Sequence, residues 1–228
     1  METWFAKLHE TFIASGYYKL MLEGLRNTVI MTLGALCIGF VIGTLIAIIK
    51  YFAVDTPSLK PLSLLCDIYL TVIRGVPVVV LLLIFFFIIM KSASGIIVGT
   101  LAFGVNSGAY MAELIRSGLN AVDPGQMEAG RSLGMSKLRC TKVVILPQAI
   151  RYILPAIVNE FIALLKETAV AGYVAVVDLT RAGSLVRNNT YDSVNTLLSV
   201  ALIYLLMVIL LEQVLKKIER RFSVRDKG

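Results

Sequence analysis

The run VIMTLGALCIGFVIGTLIAII, Val29–Ile49, holds 21 residues without one charge. A helix crosses the hydrocarbon core of a bilayer in about 20 such residues. Arg26 and Lys50 bracket the run, as basic residues flank a span at the headgroup layers. It reads as a membrane-crossing helix. The rest of the chain agrees, with 57% of its 228 residues hydrophobic and 16% charged. Soluble domains run nearer 45–50% apolar and about 25% charged. That balance excludes a disordered chain, a collagen, a coiled coil and a disulfide scaffold. Five or so spans fill the length and leave no room for a soluble catalytic domain, so partners must carry most of the chemistry.

Outward from this run, residues 1–19 form an amphipathic segment, with Trp4, Phe5, Leu8, Phe12 and Ile13 near helical spacing. It is too short and too charged to span, and is expected at the membrane interface. Thr56-Pro57-Ser58 marks a loop. Further spans are expected over 61–90, 92–116, 152–177 and 193–211, giving a membrane domain of residues 20–216. Between them lie a hydrophilic stretch at 117–151 and a polar loop at 178–192. Residues 217–228 form a basic tail. The three cysteines are spaced neither as a disulfide framework nor as a metal site, and the single His9 reads as a surface residue. Glu2, Lys7, His9 and Glu10 interrupt any signal-peptide pattern.

The net charge of +7 suits cytoplasmic loops better than nucleic acid in so apolar a chain. Arg131, Lys137, Arg139, Lys142 and Arg151 lie in the long loop, and Lys216, Lys217, Arg220, Arg221, Arg225 and Lys227 in the tail. Five spans put both on one side, which predicts the N-terminus outside and the C-terminus in the cytoplasm.

Within the loop, Asp123-Pro124-Gly125-Gln126 has the pattern of a helix start: a capping Asp, Pro at the first helical position and Gln three residues after the cap. Gly134 is placed to end that helix in a left-handed conformation. Ser136 then caps a second helix, which Pro147 is expected to terminate or kink. Ala129 and Gly130 leave one face nearly bare, so a partner's groove could approach the backbone closely. A surface hairpin that merely tidies the loop would have the same pattern.

Glu128-Ala129-Gly130, then Gly134 after three residues, then Val144-Ile145-Leu146-Pro147 after nine, resembles the EAA loop of ABC-importer permeases. Gly130 stands where the family has its second Ala, and Val144 where it has Ile. Arg74-Gly75-Val76-Pro77 is similar to the Arg-Gly-Thr-Pro segment of the polar amino-acid permeases, the histidine, glutamate, glutamine, arginine and opine type. Ala109–Arg116 and Asn159–Thr168 resemble that subfamily's segments before and after the loop. The resemblance covers about Gly24 to Arg220. It implies an all-α membrane protein with the type I importer fold in the bacterial inner membrane. It further implies a coupling helix at Glu128, Ala129, Gly130, Leu133 and Gly134 that docks into a separate ATPase. That subunit would hold ATP and magnesium, since this sequence lacks the G-x-x-x-x-G-K-[ST] phosphate loop. A second permease, copy or paralogue, would complete the path, and an extracellular or periplasmic solute-binding protein would deliver a polar amino acid.

Charged groups at membrane depth are costly and normally face a cavity or a partner. Glu160, with Asn159 beside it, could bind the amino acid's ammonium. Arg74 could meet a carboxylate, and Glu113 lies late in its span. Glu160 and Glu167 are seven residues apart and share a helix face. The alternative for all of them is pairing with one another inside the bundle. Nothing arranges a nucleophile with a base, so no enzyme is expected. The main rival is an ion-coupled secondary transporter or a channel subunit. It is disfavoured by the docking pattern and by the lack of an inverted repeat.

Overall fold

The structure, a computed structural model, describes Ala6 and residues 8–223, with side chains to Lys217. Trp4, Phe5 and the end of the basic tail lie outside the described residues. Every regular element described is helical. Among the described residues, three helices are long and apolar enough to cross a membrane, or four if one bent pair counts as a single span.

The first, α1 (Tyr18–Ala53), contains the run Val29–Ile49 and begins eleven residues before it. Its polar early part is made tolerable by partners. Asn27 donates its amide to the Val177 carbonyl, and the Thr28 hydroxyl accepts from the Leu179 amide. A single turn at Pro57–Leu59 leads into α2 (Lys60–Gly75), followed by α3 (Val78–Ile84), which runs on as a wider turn, Phe85–Ile89.

The expected span over 61–90 is not straight: the chain bends by 106° between these two helices. Pro77 lacks the amide that would continue α2 and pushes Val76 out of helical conformation. Asp67 within α2 is compensated by an ion pair with Lys50 of α1.

α4 (Gly95–Asn120) follows, then α5 (Pro124–Ser132) and α6 (Lys137–Cys140). The turn Thr141–Ile145 widens to a π turn and feeds α7 (Leu146–Glu167). Pro147 therefore does not end the helix; of the two expected outcomes, what the structure shows is an irregularity, the π turn just before it. The Leu146 amide reaches back five residues to the Thr141 carbonyl, a register in which a proline just inside the next helix is accommodated.

The stretch 178–192 is not a polar loop. It is mostly α8 (Leu179–Thr190), followed by α9 (Ser193–Ser223). Asp178 caps α8 by accepting from the amides of Thr180 and Arg181. Leu179, Ala182 and Val186 recur along one face and are fully buried.

The chain divides into two compact units. One holds the described residues of Met1–Cys37, with Val76–Gly104 and Ile162–Leu210. Its core gathers Met31, Leu82, Phe103 and Leu164, with a second cluster of Met21, Leu179, Val186 and Val200. Phe12 of the N-terminal segment packs on that second cluster.

The other unit holds Ile38–Gly75, Val105–Phe161 and the described residues from Leu211. Its cores are Ala47, Ile115, Leu119, Ile145 and Ile153, and Ile46, Cys66, Leu70 and Ala112. Here α1 and α4 approach closely, because a Cβ at Gly43 would stand 2.5 Å from that of Met111. Small residues permit such contact where apolar surroundings supply no hydrophobic drive between helices.

Candidate functional site

All four expected substrate residues fall in the second unit, on α2, α4 and α7. Glu160 is half-buried, and the Ser107 hydroxyl donates to its Oε1 at 2.8 Å. Ser107 is fully buried. Its place depends on α1: a Cβ at Gly39 would lie 2.9 Å from both Cβ and Oγ of Ser107. Ser107 was not anticipated. The signal was Asn106-Ser107, two polar residues inside the apolar run of α4.

Arg74, Glu113 and Arg116 form a second cluster. Arg116 Nη2 donates to Glu113 Oε2 at 2.7 Å, and Arg74 Nη1 stands 3.8 Å from Oε1. The Arg74 guanidinium also lies 5.6 Å from the centre of the Tyr110 ring, within cation–π range. Two guanidiniums share one carboxylate, so Glu113 is spent within the chain and the cluster keeps one positive charge. Ser107, Tyr110 and Glu113 follow in steps of three along α4, which places the two clusters within about 9 Å along its axis. Asn159 is exposed and lies about 100° round α7 from Glu160. The structure does not join it to the Ser107–Glu160 pair.

The hairpin of the long loop has the expected start and end. The Asp123 carboxylate accepts from the Gly125 amide at 2.8 Å, with Pro124 as first helical residue. Gln126 does not close the capping box; its Oε1 accepts from Gln148 instead. At the far end Gly134 has φ +81°. The amides of Gly134 and Met135 return to the carbonyls of Arg131 and Gly130, the paired closure that a left-handed glycine permits.

Gly130 departs from its expected role. It is buried, and a Cβ there would stand 2.3 Å from Cys140 Sγ. Its bareness serves the contact between α5 and α6, not an approaching groove. The outward face belongs to Glu128, Ala129 and Leu133, the last 80% exposed. Lys137 ties this hairpin to the end of α1. Its ammonium donates to Asp55 Oδ2 at 2.5 Å and to the Tyr51 carbonyl at 3.3 Å, and lies 4.9 Å from the centre of the Tyr51 ring.

Long apolar helices that carry mutually paired charges, together with a capped helical hairpin, fit a membrane component of a transport machine. The chain belongs to the family described as binding-protein-dependent transport system inner membrane component, which it matches over residues 39–224. It is an inner-membrane protein of that kind.

It is 37% identical over 208 residues to a Rickettsia conorii protein whose name assigns it to glutamine transport as the permease GlnP, covering 90% of this chain and 93% of that one. It is 33% identical over 210 residues to the arginine transport system permease protein ArtQ of Bacillus subtilis, covering 90% and 94%. A solved structure described as an amino acid ABC transporter with histidines matches with a TM-score of 0.83 and 39% identity, over 91% of this chain and 96% of that one.

Proposed function

We propose that this chain is the permease subunit of an ATP-driven importer of polar amino acids. It has five spans, with the N-terminus outside and the C-terminus in the cytoplasm. The fourth span, over 152–177, is largely α7, which carries Asn159, Glu160, Lys166 and Glu167 along it. Residues 1–19 lie at the interface, 20–216 form the membrane domain with the coupling loop 117–151, and 217–228 are a cytoplasmic tail. The catalysis is done elsewhere: a separate ATPase hydrolyses magnesium-bound ATP and receives the outward face of α5. A second permease completes the path, and a solute-binding protein loads it.

The observation that carries the substrate assignment is Glu160, a half-buried carboxylate on a helix of the membrane domain that accepts from the Ser107 hydroxyl. An ionised carboxylate makes a strong charge-assisted hydrogen bond to an ammonium, and a bound amino acid brings one. The positive surplus at Arg74 and Arg116 suits the substrate carboxylate, with Glu113 setting their geometry and Asn159 on the flank. The relatives named for glutamine and arginine support this class.

The test is Glu160→Gln in proteoliposomes holding the complete transporter, binding protein and ATP. Amino-acid uptake should need at least tenfold more loaded binding protein, with basal ATP hydrolysis retained. An unchanged concentration dependence for every amino acid tried would make Glu160 structural.

A further inference from the structure

Beside the docking hairpin, wholly within the second unit, lies an open cavity of about 1200 Å³. Its walls come from the end of α1 and the loop after it, the start of α2, the end of α4, and α5 with α6. Five cations line it, Lys50, Lys60, Arg116, Arg131 and Lys137, against two carboxylates, Asp55 and Asp67. Those carboxylates are taken by Lys137 and Lys50, and Arg116 is engaged by Glu113. Among the described residues, Lys60 and Arg131 are in no ion pair, so the wall keeps an anion-binding surplus. The Arg131 guanidinium spends one donor on the Met135 carbonyl.

The cavity's size decides what class of anion suits it. Pockets for drug-sized molecules run to roughly 300–1,000 Å³, so inorganic phosphate would leave most of this space to water. The apolar side of the wall narrows the choice further. Leu64 belongs to the lining, and Leu64, Ile68 and Val72 follow at four-residue steps along α2, each more than half exposed. A bare apolar stripe thus starts at the cavity and runs up a helix of the membrane domain. An anionic head at one end and a hydrocarbon chain along the other is the shape of a phospholipid. The cavity follows directly on the first span, which puts it at headgroup level, where basic pockets between spans take anionic heads.

We propose that this cavity is a binding site for an anionic phospholipid. Lys60 and Arg131 hold its phosphate, and an acyl chain lies on the Leu64–Val72 stripe. Because Arg131 and Met127 belong to the docking helix, a bound lipid touches the element that meets the ATPase. The inference rests on the membrane reading above but not on the substrate site. Its readout is lipid retention, so its failure and that of the uptake test are distinguishable.

The experiment is native mass spectrometry of the complete transporter, exchanged into detergent with equal phosphatidylglycerol and phosphatidylcholine of the same chains. The wild type should retain phosphatidylglycerol selectively. Lys60→Gln with Arg131→Gln should weaken that retention by about 30-fold, from two cations near the membrane surface. Lys216→Gln with Lys217→Gln, in the tail, should change it less than about threefold, since those cations lie outside the cavity. A photoactivatable phosphatidylglycerol should label the wild-type peptides containing Lys60–Asp67 or Met127–Leu138, a result independent of how the variant folds. Equal loss from the tail variant, unchanged retention in the cavity variant, or labelling confined elsewhere would overturn the proposal. So would displacement of the lipid by millimolar inorganic phosphate, which would mark a site for a soluble anion.

Discussion

Gly130→Ala is the most direct probe of the docking hairpin, because alanine is what the related pattern carries at that position. The added methyl would stand 2.3 Å from Cys140 Sγ and 3.4 Å from Cys140 Cβ. The second distance is tolerable; the first overlaps the sulfur by more than an ångström, since packed heavy atoms sit about 3.5–4.0 Å apart. Overpacking of this kind costs about 1–3 kcal/mol. Alanine regains about 1 kcal/mol of helix propensity over glycine. The single variant should therefore lose up to about 2 kcal/mol.

Cys140→Ala removes the sulfur and leaves a small void, costing about 1 kcal/mol. In the double variant the new methyl fills that void and the propensity gain survives, so its stability should match or exceed the wild type. The two changes should thus couple favourably by about 1–3 kcal/mol, the range for residues in direct contact. The assay is thermal melting of the assembled transporter for all four chains, with ATPase copurification recorded. Simple additivity, or a Gly130→Ala chain that melts above the wild type, would refute the inward packing of Gly130. It would also return that residue to the partner-facing role.

Leu133→Asp, on the outward face, should cut copurification of the ATPase by at least tenfold while leaving the melting temperature within about 2 °C, as expected for an exposed substitution. Cysteines engineered at Ser94 and Asn188 should react with an impermeant thiol reagent from outside, and those at Ser136 and Lys217 should not; labelling at Ser136 would reverse the orientation. Burial pushes the Asp178 carboxyl above its usual range. The folded state therefore favours its protonated form, and the stability that goes with it is present below about pH 4, the unfolded carboxylate value, and fades as pH rises through the raised one. Asp178→Asn keeps a capping side chain without that titration, so its melting temperature should gain on the wild type as pH is raised from about 4; a constant difference would mean that Asp178 stays charged throughout.

The parts legible from sequence were those in which one residue pattern has one structural answer. An uncharged run of 21 residues between Arg26 and Lys50 is long and apolar enough for a span, and Asp-Pro before a short helix with Gly134 after it reproduces the hairpin's ends. What escaped were features that depend on a second segment. The polarity of 178–192 concealed α8, because its buried face needs only Leu179, Ala182 and Val186 against α1 and α9. The bend at Pro77 was masked by the uncharged run Val76–Met90, which begins right at it. Gly130 was misread because its neighbour, Cys140, lies ten residues on and across a turn. Ser107 is not legible because serine hydroxyls in a span are commonly satisfied by their own helix, and its partner Glu160 lies 53 residues away in sequence. Here it points instead at Glu160, through space that Gly39 leaves open.

The path from hairpin to carboxylate has a mechanical consequence. From Leu146 to Glu160 the chain is one helix, joined to α6 by the π turn without an intervening loop. Hairpin, rod and carboxylate all belong to one compact unit, whose boundary falls just past Glu160, between Phe161 and Ile162. Fourteen residues of helix make a lever about 21 Å long, provided packing holds it straight across Pro155, which lies inside it and removes one backbone hydrogen bond. Tilted by about 10° at the hairpin, such a lever would sweep Glu160 sideways by about 4 Å, more than a hydrogen-bond length. Leverage of that size would part Glu160 from any ligand group anchored elsewhere, so under the function proposed above a small rocking at the hairpin would suffice to release a bound amino acid.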